Sequence, residues 1–191
     1  MVNGVNVIEY DKKDCITFNS YRKGKYQVLS NLYDKCKIPF DGYIFHSSEQ
    51  IFFYLLLEDC DEGRKKVMFT PSAKESKKKG SYYLKKRGWD DSKEECQRAE
   101  VQALRTAIGL KMKYCEEFRN VVLGSGDKKI IEYAPWNDAV YGTVDVDEKY
   151  KWNYNEGIVR GQNICGRIIQ QWRKWYRNGE YREMEKSLGI C

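Results

Sequence analysis

The stretch FHSSEQIFFYLLLEDC, residues 45–60, is one of the most apolar in the chain, yet a carboxylate stands at its head. Ser47 can accept a hydrogen bond from the first-turn amides of a helix, and Gln50 follows at the spacing of a capping box. Glu49 would then lie in the first turn, where the helix dipole favours negative charge. The sequence therefore predicts a buried helix that begins at Ser47. Whether Glu49 does more than support this helix depends on the rest of the chain.

Length and composition predict one soluble, globular domain over residues 1–191, with a core of about 14–177 and a C-terminal tail at 178–191. The longest apolar run, residues 51–57, is too short to span a bilayer. Residues 1–10 lack the basic start and apolar core of a signal peptide. We therefore expect no membrane association.

The chain has seven cysteines and one histidine, His46. The cysteines are odd in number, scattered and without a CxxC pair, and only one histidine is available as a co-ligand. This pattern argues against a zinc site or a disulfide framework and favours reduced thiols in the cytoplasm. We expect no metal site and no cofactor.

The net charge is +6, which suits an anionic ligand without requiring one. Lysines cluster in KESKKKGSYYLKKRGW (74–89), where they alternate with Tyr82, Tyr83 and Trp89. Such a mixture can bind single-stranded nucleic acid through charge and stacking. The alternative, which we favour, is the solvated face of a helix beside a few core aromatic residues.

Local patterns predict an α+β fold that is mainly helical, with a small β-sheet. Strands are expected at 14–18 and 129–133, and a hairpin at 37–45 that turns at Asp41-Gly42. Pro71 is suited to the first turn of a lysine-rich helix, which we expect Gly80 to end. Further helices are predicted from about Lys93 to Met112, over 115–126 with Gly124 as its end, and over 161–179 with Gly179 as its end.

Several kinds of catalytic site are excluded by the residues themselves. A single histidine leaves one possible base for a nucleophilic triad, and the HExxH, EF-hand, P-loop and GxGxxG patterns are absent. If the protein is an enzyme, carboxylates and lysines must carry the chemistry without a metal. Glycosidic cleavage and Schiff-base formation are reactions of that type.

A series of short fragments follows one another in a characteristic order: LSNLY (29–33), SSEQ (47–50), AKESKKKG (73–80), GWD (88–90), LGSGDKKIIEY (123–133), NDAVYG (137–142), GQNICG (161–166) and WR (172–173). Together they resemble the YbiA-like, or NADAR, family from about Phe18 to Arg173. The resemblance implies a hydrolase that cleaves the N-glycosidic bond between a ribose and a base or amine. It implies a nucleotide-like substrate, either ADP-ribose on guanine in nucleic acid or a ribosylamino-pyrimidine phosphate of riboflavin biosynthesis.

The same resemblance assigns candidate residues. Glu49 matches the family's acidic residue at the head of the first helix, and Asp138, Tyr141 and Gly142 match its Asp-x-x-Trp-Gly motif. Lys77 and Lys111 match family lysines and are candidate catalytic residues. Tyr141 and Gly142 of this motif are expected to bind substrate, as are the remaining matches: Ser30, Asn31, Trp89, Glu132 and Asn163.

Two positions depart from the family pattern. Leu56 stands where the family usually has a lysine, and Tyr141 where tryptophan is usual. Lysine chemistry is therefore in doubt at position 56, whereas a tyrosine ring can still stack on a base or ribose.

Physically, we expect Glu49 and Asp138 to be brought together by folding, one to stabilise charge at the anomeric carbon and the other to protonate the leaving nitrogen. A lysine that forms an imine with the sugar is the competing mechanism. Structural roles remain open for several candidates: a turn residue for Asn31 or Asp138, a core anchor for Trp89, and an ion-pair partner for Glu132. The main functional alternative is a non-catalytic module that binds nucleotides, ADP-ribose or nucleic acid.

Overall fold

The computed structural model describes residues 6–136 and 138–190. Asn137, which belongs to the NDAVYG fragment, and Cys191, the last of the seven cysteines, lie outside the described residues.

Helices dominate the described part of the chain, as predicted, and the strands are short. The strands are β1 (Ile8–Asp11), β2 (Cys15–Phe18), β3 (Ile38–Phe40), β4 (Tyr43–Phe45), β5 (Lys129–Glu132), β6 (Val144–Asp145) and β7 (Ile158–Gly161). The helices are α1 (Ser48–Leu56), α2 (Asp61–Met68), α3 (Ala73–Lys86), α4 (Glu94–Tyr114), α5 (Glu116–Leu123), α6 (Ile164–Asn178) and α7 (Tyr181–Ser187).

The chain divides into two compact units. One contains residues 1–30 and 120–181, and the other contains residues 31–119 and 182–191. The segment expected to be a C-terminal tail is folded, since it contains α7. Within it, Ile190 is buried and its carbonyl accepts a hydrogen bond from Lys113 Nζ at 3.0 Å.

The unit formed by residues 1–30 and 120–181 contains two small sheets. The strands β1, β7 and β6 pair antiparallel in that order, whereas β2 and β5 pair in parallel. Ile131, Tyr133 and Val159 form a buried cluster in this unit. The amphipathic α6 buries Ile168 and Trp172, and Gly179, in the left-handed conformation, ends it as predicted.

The unit formed by residues 31–119 and 182–191 contains a β-hairpin and the helices α1 to α4. In the hairpin, Ile38 pairs with Phe45 and Phe40 with Tyr43, which leaves a two-residue turn. Asp41 and Gly42 both have positive φ, 49° and 75°, as a type I′ turn requires. The predicted hairpin is confirmed.

The start of α1 follows the predicted cap with one difference. Ser47 Oγ accepts a hydrogen bond from the Gln50 amide at 3.2 Å, as expected. The Gln50 side chain, however, accepts from the amide of His46 at 2.8 Å and not from that of Ser47. The half of the expected capping box that involves the Gln50 side chain is therefore shifted by one residue. It satisfies the amide of His46, the residue before the cap, instead of the amide of Ser47 itself.

Gly80 does not end α3, and this prediction was wrong. The helix begins at Ala73, after Ser72 as its cap, and continues through Gly80 to Lys86. A Cβ atom on Gly80 would lie 2.2 Å from Cγ of Phe53 in α1. The glycine is needed because α1 and α3 approach each other closely at this point, and helix termination plays no part.

Replacing Gly80 with alanine distinguishes these two interpretations. Alanine in an ordinary helix interior stabilises by about 1 kcal/mol relative to glycine. Here we expect the clash with Phe53 to outweigh that gain and to lower the free energy of unfolding by about 1–3 kcal/mol. Urea denaturation measures the difference.

Ser81, the exposed residue that follows Gly80 in α3, provides the control. Ser81→Ala should change the free energy of unfolding by less than about 0.5 kcal/mol. A Gly80→Ala variant as stable as the wild type, or more stable, would contradict the close packing of α1 on α3.

Candidate active site around Glu49

Glu49 lies in the first turn of α1 and is almost completely buried, with 8% of its surface exposed. Its backbone amide donates to the carbonyl of Asn31 at 3.1 Å. The Asn31 side chain accepts a hydrogen bond from Ser48 Oγ at 2.8 Å, so both groups of Asn31 hold the beginning of the helix. A carboxylate is thus fixed at the positive end of a helix but withdrawn from bulk water.

Two lysines from different helices act on this carboxylate. Nζ of Lys77, in α3, lies 3.7 Å from Oε1 of Glu49, and more than half of the Lys77 side chain is exposed. Lys111, in α4, is completely buried, with Nζ 4.8 Å from the centre of the Phe118 ring and 5.6 Å from that of Tyr33. Three of the four candidate catalytic residues are therefore close enough to interact within one compact unit.

Burial and nearby positive charge shift the pKa of Glu49 in opposite directions. Loss of water raises the pKa of the Glu49 carboxyl, and this is the larger effect. The positive charges of Lys77 and Lys111 lower the pKa, but they only partly offset the burial, so the pKa stays above its ordinary value. Glu49 is consequently a stronger base than an exposed glutamate.

Two buried thiols share the surroundings of Lys111. Cys36 and Cys115 are hydrogen-bonded to each other, and this bond raises the pKa of Cys36 and lowers that of Cys115. The charge of Lys111 lowers the pKa of both thiols. The scattered positions of the cysteines in the sequence gave no signal of this pairing.

Leu56, which the resemblance matched to a lysine of the family pattern, belongs to the hydrophobic core. It is 8% exposed and packs in one cluster with Phe53, Leu57 and Tyr83. Trp89 packs against the same cluster, and its Nε1 donates to Glu100 at 2.9 Å. Trp89 therefore anchors the core, and its binding of substrate stays a prediction.

Asp138 lies in the unit formed by residues 1–30 and 120–181, and its carboxylate organises a turn. Oδ1 accepts hydrogen bonds from the amides of Val140 at 3.2 Å and Tyr141 at 3.0 Å. This is the pattern of an Asx turn, which was the structural alternative for Asp138. The half-buried Tyr141 follows directly in this turn.

Gly142 lies at a point of close backbone approach. A Cβ atom there would be 2.8 Å from the carbonyl oxygen of Glu132. The main-chain oxygen of Glu132 accepts hydrogen bonds from both the amide and the hydroxyl of Thr143. The glycine at position 142 is explained by this close packing of the backbone.

Asn163 is completely buried and has a left-handed backbone, with φ 50°. Its Oδ1 accepts from the amide of Glu132 and its Nδ2 donates to the carbonyl of Ile130, both at 3.0 Å. The Asn163 side chain thus ties the start of α6 to β5. Ser30 is also buried.

Glu49 and Asp138 belong to different units, and the expectation that the two carboxylates share one site stays a prediction. Within residues 6–136 and 138–190, no three His, Cys, Asp or Glu residues are grouped so as to hold a metal ion. None of the helices described is both long enough and apolar enough to cross a membrane.

The raised pKa of Glu49 leads to a prediction about stability. A carboxyl that binds its proton more tightly in the folded state than in the unfolded state makes the protein less stable as pH rises through the folded pKa. Glu49→Gln removes the charge, so we expect the variant to be more stable than the wild type at pH 7. The gain should disappear at low pH, where Glu49 is protonated in both states.

Urea denaturation between pH 4 and pH 8 measures this difference. Glu75→Gln is the matched control, because Glu75 also lies in a first helical turn near a lysine but is much more exposed. A Glu49→Gln variant that is less stable than the wild type at pH 7 would show that its carboxylate is stabilising, contrary to the raised pKa.

Known proteins resemble this chain in sequence pattern and in fold. The sequence profile of the NADAR domain matches residues 17–177. The NMR structure of the E. coli protein YbiA superimposes with a TM-score of 0.61 at 20% sequence identity, over 86% of this chain and 87% of YbiA. No curated protein matches the chain. The likeness to YbiA shows the shared α+β fold, and the profile match, which covers most of the chain, shows that the chain belongs to the NADAR domain family.

Proposed function

We propose that the protein is an N-glycosidase that hydrolyses the bond between a ribose and a base or amine. The observation that carries this proposal is the buried carboxylate of Glu49, which is held at a helix start and is acted on by the charges of Lys77 and Lys111. The NADAR family includes N-glycosidases, which supports the reaction class. The two candidate substrates are ADP-ribose attached to guanine in nucleic acid and a ribosylamino-pyrimidine phosphate.

Glu49 has the properties that the reaction requires. As the carbon–nitrogen bond breaks, its electrons leave with the nitrogen and positive charge develops at the anomeric carbon. An ionised carboxylate close to that carbon stabilises the charge, and its raised pKa suits it to accept a proton from the attacking water. In this mechanism the oxygen of water becomes the new anomeric hydroxyl, and the leaving nitrogen takes up a proton.

The two lysines support this chemistry in different ways. The buried Lys111 favours the ionised form of Glu49 electrostatically from inside the protein. More than half of the Lys77 side chain is exposed, so its charge is also available to the phosphate of a nucleotide-like substrate. The mildly basic composition agrees with an anionic substrate.

A non-catalytic module that binds nucleotides remains the second candidate, and one observation favours it. Leu56 is a core residue where the family usually has lysine, as expected of a site that has lost a catalytic group. The two functions differ in whether product is released. Incubation with both candidate substrates, followed by mass spectrometry, separates them, because a module binds the substrate and leaves it intact.

Removing the charge of Glu49 is the main test of the proposed N-glycosidase activity. We expect Glu49→Gln to fold and to lose turnover by about 100-fold or more, which is the effect of losing an acid–base group. Product release is measured by mass spectrometry on whichever substrate the wild type cleaves, with Glu75→Gln as the control. Near-normal turnover in the Glu49→Gln variant would leave Glu49 with a structural role only.

Asp138 is the proposed second acid, and two substitutions separate this role from the turn that it stabilises. Asparagine keeps an oxygen that can accept from the amides of Val140 and Tyr141, whereas alanine does not. If Asp138 donates a proton, Asp138→Asn should lose about 100-fold in turnover while its thermal stability stays close to that of the wild type. If only the turn matters, Asp138→Asn should be active and Asp138→Ala unstable.

Borohydride trapping tests the competing lysine mechanism. An imine between a lysine and the ring-opened sugar would be reduced to a stable adduct, which intact mass detects. We expect no adduct, because Glu49 and water complete the reaction without one. An adduct on Lys77 or Lys111 would replace the proposed mechanism by covalent catalysis.

Turnover that is unchanged by EDTA would agree with a reaction that needs no metal.

A further inference from the structure

Three large aromatic side chains lie exposed and in mutual contact in the unit formed by residues 1–30 and 120–181. Tyr21, Trp136 and Trp152 are 57%, 46% and 50% exposed. The Tyr21 ring packs edge-to-face against both tryptophans, at 5.6 Å from Trp136 and 6.0 Å from Trp152. The two tryptophan rings are 6.3 Å apart and tilted by 45°. We call these three side chains the aromatic triad.

Exposed tryptophans in contact with one another need an explanation. Each contact inside the triad buries part of the rings, but about half of every side chain still faces water. Folding alone favours burying such apolar area. A contiguous exposed aromatic patch of this kind is typical of a surface that binds a ligand.

The backbone that carries Trp152 is strained. Trp152 has φ 67°, in the left-handed region that bulky residues rarely adopt. Its amide donates to the hydroxyl of Tyr133 at 2.6 Å, and that hydroxyl donates in turn to Asp145. The strained conformation is therefore held in place from the interior of the unit.

A buried lysine fixes the same segment from the other side. Nζ of Lys12, which is 1% exposed, lies 2.7 Å from Asp145 Oδ1. The same Nζ donates to the carbonyls of Tyr150 at 3.2 Å and Asn153 at 2.5 Å, on either side of Trp152. A buried ion pair seldom makes a protein more stable than apolar packing would. The pair between Lys12 and Asp145, with the two carbonyl contacts of Lys12, holds the chain around Trp152 in one conformation.

Positive charge adjoins the triad along the chain. Tyr21 begins the segment YRKGKY, residues 21–26, in which Lys23 and Lys25 are exposed. Nζ of Lys25 lies 4.8 Å from the centre of the Tyr26 ring. Aromatic rings beside cationic side chains are the combination that binds single-stranded nucleic acid, since rings stack on bases and cations contact phosphates.

We propose that the aromatic triad is a stacking site for an unpaired nucleobase of a single-stranded nucleic acid. Lys23 and Lys25 contact the phosphates of the same strand. Trp136 lies two residues before Asp138, so the triad adjoins the turn that contains the proposed second acid. The inference rests on the proposed function in one respect only: it takes the bound strand as the carrier of the ribosylated base and so favours the nucleic-acid substrate.

Binding of a plain strand tests the site without requiring turnover. Fluorescence anisotropy with labelled, unmodified 12-nucleotide DNA and RNA strands measures the Kd of the wild type and of variants. Stacking of one base is worth about 1–3 kcal/mol, which corresponds to a loss of roughly 5-fold to 150-fold per ring removed. We expect losses in this range for Trp136→Leu and Trp152→Gly, whereas Trp136→Phe should stay close to the wild type.

Trp152→Gly also separates binding from folding. Glycine adopts positive φ without strain, so this variant should unfold at the same temperature as the wild type or higher while it binds the strand more weakly.

Tyr82→Ala is the matched control, because Tyr82 is 61% exposed but lies in the lysine-rich helix α3. Its Kd should change less than twofold. An abasic strand should bind the wild type as weakly as the intact strand binds the triad variants.

Three results would overturn the inference: a wild type that does not bind the strands, Trp136→Leu and Trp152→Gly variants that bind as well as the wild type, or a loss of binding in Tyr82→Ala alone. The last result would assign strand binding to the lysine-rich helix. Failure of this inference and failure of the proposed function give different results. A protein that binds strands through the triad but releases no ribose would confirm the stacking site and contradict the N-glycosidase activity.

Discussion

The burial of one carboxylate, that of Glu49, under the influence of the positive charges of Lys77 and Lys111 is the constraint on which the candidate site depends. The buried helix α1 holds the carboxylate, and two further helices supply the lysines. Lys77 lies three residues before Gly80, at the point where α3 can approach α1 because Gly80 has no side chain. The glycine that permits this packing therefore also brings the lysine to the carboxylate.

Local sequence patterns predicted the elements well where a single short-range interaction decides the structure. The Asp41-Gly42 turn, the Ser47 cap and the left-handed end of α6 at Gly179 each depend on a few neighbouring residues. Gly80 shows where such reasoning fails. Glycine in a helical pattern indicates either an end or a close approach, and only the presence of Phe53 from another helix decides between them.

The candidate residues could be named from the family pattern, but their individual roles could not. Asn163 joins α6 to β5 through both groups of its amide, and Asp138 stabilises a turn. Polar residues are equally necessary for building loops and for binding ligands, and a motif does not separate the two uses. The aromatic triad was missed for a different reason. Its members are far apart in sequence and are joined only by folding, around a left-handed tryptophan that no local pattern indicates.

In the proposed mechanism, the carboxyl group with the raised pKa, that of Glu49, is also the group that acts on substrate. The direct measurement compares two titrations: the carboxyl carbon of Glu49, followed by NMR with ¹³C-labelled glutamate, and kcat/KM of the wild type, followed over the same pH range. Because the ionised form is required, we expect kcat/KM to fall at low pH with the midpoint at which Glu49 titrates, above the ordinary range of a glutamate. A Glu49 carboxyl that titrates in its ordinary range, or an activity midpoint that does not coincide with the titration of Glu49, would contradict this mechanism.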